Sequence, residues 1–95
     1  MNLRFEWDAR KAAVNAAKHG VSFEEAVTVF RDSRAAIFDD ETHSVEELRE
    51  IIIGHSDRNR LLLVCFTERD DVIRIINARK ATRREGRDYE AHQIR

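Results

Sequence analysis

The chain has 95 residues, enough for a single domain spanning 1–95 and too few for a second, and a chain of this size buries only about 60–65% of its unfolded surface. Apolar residues make up 42% and charged residues 37%, against a usual charged share near 25%, which describes a thin core under a heavily charged shell. The formal net charge of -1 excludes a strong overall field, yet the charge is segregated: acids crowd Asp39, Asp40, Glu41, Glu46, Glu47 and Glu50, while Arg79, Lys80, Arg83, Arg84 and Arg87 form a basic end.

Met1-Asn2-Leu3-Arg4-Phe5 has no apolar leader region, and no stretch approaches the roughly 18 apolar residues of a membrane span, so a soluble, cytoplasmic protein is expected. Asp8 can cap a helix over 8–19, with Ala9, Ala12, Ala13, Ala16 and Ala17 as its apolar stripe and Gly20 as its left-handed terminator. Ser22 and Glu25 read as a capping box, and Phe23, Ala26, Val27 and Phe30 give a second, shorter helix its oily side. The period then changes to that of strands. A short strand is expected at Ala35-Ala36-Ile37-Phe38, followed by an acidic loop through His43, and stronger strands at 48–56, 61–67 and 72–78. The turns at 57–60 and 68–71 are short enough to force antiparallel hairpins. Cys65, the single cysteine, falls inside an apolar strand, which excludes an intramolecular disulfide and fits a reducing compartment. Thr82 and Glu85 make another capping box, which starts a basic helix running toward His92. The expected class is α+β: two N-terminal helices, a three- to four-stranded antiparallel sheet and a C-terminal basic helix.

Several segments in this order resemble the BrnT toxin family. They are Phe5-Glu6-Trp7-Asp8; Lys18-His19-Gly20-Val21-Ser22-Phe23-Glu24-Glu25-Ala26; His43-Ser44 with Glu47 and Arg49; Ile53-Gly54 through Ser56-Asp57-Arg58 to Thr67-Glu68-Arg69; and Ile73-Arg74-Ile75-Ile76-Asn77-Ala78-Arg79 leading into Ala81-Thr82-Arg83-Arg84-Glu85. Asn77 stands where the family often has serine, and Asn59 where glycine is common; asparagine tolerates positive φ in a turn. The resemblance implies a RelE-like ribonuclease fold, RNA cleavage in the cytoplasm that arrests growth, no cofactor, and neutralisation by a BrnA-like antitoxin. That antitoxin's ribbon-helix-helix part would bind operator DNA.

Metal-independent RNA cleavage uses the substrate's own 2′-hydroxyl, so the protein must supply a proton acceptor, charge for the phosphorane and a donor for the leaving oxygen. Arg79 and Lys80 end the last strand and Arg83 opens the next helix, a corner suited to a phosphate; a solvated basic face, or a seat for an acidic antitoxin, is the competing reading. Arg58 and Arg60 lie in a hairpin turn, where they either touch RNA or only solubilise. Arg74 shares a strand face with Val72 and Ile76 and needs either an acidic partner, such as a residue of a neighbouring strand, or open solvent. Among the histidines, His55 at a strand end and His43 in the acidic loop are the better proton-transfer candidates, whereas His19 complements a helix dipole and His92 sits near a chain end. From the resemblance, Tyr89 joins the catalytic candidates and Trp7 becomes a surface for base stacking, set against burial between the first helix and the sheet. The acids near His43 repeat no metal-ligand spacing, and neither a glycine-rich phosphate loop nor a nucleophile elbow is present. Two other readings use the same residues: a non-catalytic nucleic-acid-binding module, and a plain antitoxin-binding partner.

Overall fold

Local signals set the helix ends. In the computed structural model, which describes residues 3–40 and 48–93, the Asp8 side chain accepts from the Lys11 amide at 3.0 Å and opens α1 (Ala9–His19). Gly20 closes it in the left-handed region at φ 68°. Ser22 accepts from the Glu25 amide at 3.0 Å and opens α2 (Phe23–Thr28), which runs on into a 3₁₀ turn at Val29–Arg31. Only half of that capping box forms, because the Glu25 carboxylate turns inward to Ser56 and Arg60.

The strands are β1 (Arg4–Glu6), β2 (Ala36–Asp39), β3 (Glu50–His55), β4 (Leu61–Arg69) and β5 (Val72–Lys80), followed by α3 (Arg83–Gln93). They form a five-stranded mixed sheet in the order β1-β5-β4-β3-β2, which corrects the expectation of three or four antiparallel strands. The additional strand is β1, which is only three residues long and pairs parallel to β5 with Phe5 opposite Ile73. No hairpin turn announces a parallel neighbour so distant in sequence, and three residues are too few to show alternation. The two expected hairpins are present, with positive φ at Asn59, Asp70 and Asp71 in their turns.

The core lies between one sheet face and the first two helices: Ile52, Leu62, Val64, Phe66, Ile73, Ile75 and Ala78 meet Val21, Phe23, Ala26 and Val29. The alanine stripe of α1 is a second correction. Ala9, Ala13, Ala16 and Ala17 are exposed, and the helix faces inward through Ala12 and the buried Asn15. The Asn15 amide donates to the carbonyls of Val21 and Ala78 at 2.9 and 2.8 Å and accepts from the Ala78 amide at 3.1 Å. It thereby satisfies backbone groups on β5, which a hydropathy pattern counts against burial.

The other sheet face is half covered. Tyr89 of α3 packs on Ile53 and Leu63, with Ile51 and Leu61 beside them. The rest is an open concavity of about 310 Å³ that includes Asp40, Arg49, Cys65, Asn77 and Arg79. Burial first, and then the Asp40 carboxylate, push the Cys65 thiol up to about 11, so it stays protonated and inert at neutral pH. No described helix is long and apolar enough to cross a membrane.

Candidate active site

The basic corner is built as expected but occupied from within. Thr82 and Glu85 form a complete capping box: the Thr82 amide donates to Glu85 Oε1 at 2.8 Å, and the Glu85 amide donates to Thr82 Oγ1 at 3.2 Å. Arg79 closes on the same carboxylate, with Nη1 and Nη2 donating to Oε1 and Oε2 at 2.7 and 2.8 Å. The Arg79 bonds, supported by the Thr82 amide, hold the Glu85 carboxyl down at about 2 despite partial burial. Arg79, expected to contact phosphate, is thus paired in this structure with an internal carboxylate. Lys80 and Arg83 are exposed and enter no ion pair among the described residues.

A second cluster forms where β3 ends under α3. His55 lies opposite Leu61 on β4, and the first turn of α3 sits over that leucine, since a Cβ on Gly86 would lie 3.6 Å from Leu61 Cδ2. The basic corner and His55 are thus one strand apart. The Tyr89 hydroxyl donates to Asp32 Oδ2 at 3.0 Å and stands 3.3 Å from His55 Nδ1, with the two rings edge to face at 5.2 Å. Asp32 Oδ2 also accepts the His55 backbone N–H at 2.8 Å, while Oδ1 accepts the Arg34 amide at 2.9 Å. Burial on its own would raise the Asp32 pKa, but the bonds from His55, Arg34 and Tyr89 outweigh it and hold the carboxyl below its ordinary value. Burial and the Asp32 carboxylate raise the Tyr89 pKa, so the phenol keeps its proton. His55 Nδ1 is 3.7 Å from Asp32 Oδ2, too long for a hydrogen bond, and the imidazole is 43% exposed. A carboxylate, a phenol and an imidazole from the 32–34 turn, α3 and β3 therefore form a short chain ending at solvent.

Sequence reasoning missed Asp32, because its partners stand 23 and 57 positions away and it lies between a helix and a strand. Gly54 carried a usable signal. A lone glycine amid β-branched residues marks close approach, and a Cβ there would meet Ala35 Cβ at 3.0 Å, with Asp32 Oδ2 and Val29 Cγ1 both at 3.1 Å.

The remaining candidates scatter. Arg58 is 70% exposed and lies 3.6 Å from Glu25. Arg60 is bound to that buried carboxylate and to the Gly20 carbonyl, an internal role. Arg74 pairs with Glu6 of the neighbouring strand at 2.8 Å and is also partly exposed, so it has both an acidic partner and solvent. Trp7 is half-buried against the core, edge to face with Phe23 at 6.0 Å, which is the packing role set against base stacking. His92 contacts the Phe38 ring, and His19 is half-buried at the end of α1. His43 lies outside the described residues. No group of three or more His, Cys, Asp or Glu side chains that could hold a metal gathers among the described residues.

No curated protein matches the sequence. Among solved structures, the fold is similar to the 1.1 Å crystal structure of the Brucella abortus ribonuclease toxin BrnT, at 22% identity and a TM-score of 0.66, covering 86% of this chain and 100% of that one. A family model described as the ribonuclease toxin BrnT of type II toxin–antitoxin systems matches residues 7–85. The chain therefore belongs to the BrnT family of ribonuclease toxins.

Proposed function

We propose that this toxin cleaves RNA without a metal, with His55 as the proton acceptor for the substrate's 2′-hydroxyl and with Tyr89 and Asp32 orienting it. The observation that carries this reading is the hydrogen-bonded meeting of Asp32, Tyr89 and His55 from three separate elements. The Tyr89 proton goes to Asp32, so the phenolic oxygen is left to accept from His55 Nδ1–H. That selects the tautomer whose Nε2 carries the lone pair and faces substrate. Proton abstraction at Nε2 lets the 2′-oxygen attack the adjacent phosphorus; the P–O5′ bond breaks, the departing 5′-oxygen takes a proton from solvent water, and a 2′,3′-cyclic phosphate is left. The phosphorane gains negative charge, and the exposed Lys80 and Arg83 beside the start of α3 supply cations for it. Arg79 serves as a positioning residue, since its pair with Glu85 fixes the corner from which those cations project. Arg58 in the 57–60 turn and His43 remain candidates for contact with flanking RNA, and Trp7 for a stacked base.

The family resemblance supports the rest of the reading: a RelE-like architecture, a BrnA-like ribbon-helix-helix antitoxin as the neutralising partner, operator DNA reached only through it, and a cytoplasmic site of action. Purified protein is expected to cleave single-stranded RNA in EDTA, yielding 2′,3′-cyclic phosphate ends. Loss of cleavage on chelation, restored by a divalent cation, would reject the mechanism.

A further inference from the structure

A second depression, of about 360 Å³, runs between α1 and the free part of β5. Arg10, Lys11, Lys18 and His19 line it without any carboxylate, and none of the three long cations has an ion-pair partner among the described residues. Lys11 and Lys18 are seven positions apart, about 10 Å along a helix, which lets them engage separate anions. The nearest acid in sequence, Asp8, lies outside the lining; it accepts from the Lys11 backbone amide and keeps its charge, attracting the Lys11 ammonium without an ion pair. A groove with several unmatched cations and no acid is a site for a polyanion.

Its position says which polyanion. Asn77 lines both this groove and the open concavity that holds Arg49 and Arg79, so the two depressions adjoin across one residue of β5. There Ile76 is an extra residue on β5, between the pairs Cys65↔Asn77 and Phe66↔Ile75, and the resulting bulge breaks the ladder. On its far side the concavity reaches Leu63, on which Tyr89 packs, and among the described residues the buried Asp40 is its one lining acid. The path from α1 across Asn77 therefore ends beside the Asp32–Tyr89–His55 cluster.

We infer that this path holds the RNA strand flanking the scissile bond, with Lys11 and Lys18 on successive backbone phosphates and the Asn77 amide on a base edge or 2′-hydroxyl where the strand crosses β5. The inference rests on the proposed catalytic site, and it makes the substrate an extended single strand. A duplex would present a rigid double track of phosphates, whereas Lys11 and Lys18 form a single row of cations along α1.

The test is binding of a short single-stranded 2′-O-methyl RNA, which cannot be cleaved, measured against salt concentration. The Lys11→Gln/Lys18→Gln variant changes exposed positions only, and its melting temperature checks the fold. The log–log salt slope is expected to fall by about 1.4, from two lost phosphate contacts, with affinity down on the order of 10-fold near 0.1 M salt. An unchanged slope overturns the proposal. So does unchanged RNA binding with lost antitoxin binding, which would assign the groove to an acidic protein segment instead. The His55→Ala variant is expected to bind this RNA like the parent protein. If it still cleaves RNA while the lysine variant fails to bind, the catalytic reading falls and the groove stands.

Discussion

The corner at Arg79 and the junction at His55 each hold one carboxylate against several donors, and they differ in what is left over. Glu85 receives both Nη groups of Arg79 and the Thr82 amide, so acid and base cancel inside a helix cap. Asp32 receives two amides and a phenol, all neutral donors, and keeps its negative charge behind a partly exposed imidazole. The first arrangement is saturated and stabilises the start of α3. The second is a relay with an open end. The density of arginine in the sequence pointed to the first, although reactivity depends on which donors remain unspent after folding.

Substitutions can break this contrast. The largest effect is expected for His55→Ala, which should lower RNA cleavage by about 100- to 10,000-fold while leaving the melting temperature near that of the parent, because the imidazole is exposed. Full cleavage by that variant would move the chemistry elsewhere. Arg79→Ala should do the reverse in kind, costing about 1.5–3 kcal/mol of stability in denaturant unfolding through the lost charge-assisted bonds. If its cleavage per folded molecule fell as far as that of His55→Ala, Arg79 would touch substrate and the division between the two regions would fail. The smallest effect is a slope. Glu85 titrates near 2 in the folded protein against an ordinary 4.5, so its stabilisation is complete above 4.5 and is lost as pH falls toward about 2. One such proton gives at most about 1.4 kcal/mol per pH unit, and Glu85→Gln should flatten that part of an acid-unfolding curve.

Much of the frame was readable because its signals are local. Asp8, Gly20, Ser22 and Thr82 mark helix ends with their own side chains or backbone, and the apolar runs of β3, β4 and β5 alternate or saturate as buried strands do. The failures share one cause, dependence on partners far along the chain. β1 needs β5 to become a strand, Asn15 needs the Ala78 backbone to be buried, and Asp32 needs Tyr89. Glu25 illustrates both outcomes. Its amide obeys the capping box, while its carboxylate leaves the local pattern for Arg60 and Ser56 more than thirty residues away, so one residue was read correctly at the backbone and incorrectly at the side chain.

The parallel pairing of β1 with β5 has a consequence for biosynthesis. β5 is the last of the described strands, so β1 has no sheet edge to join until β5 has been made, and the phenol that completes the candidate site lies in the helix after that. An unfinished polypeptide holds neither the closed sheet nor Tyr89. On the mechanism proposed above, the site for RNA cleavage is therefore complete only once α3 has been made.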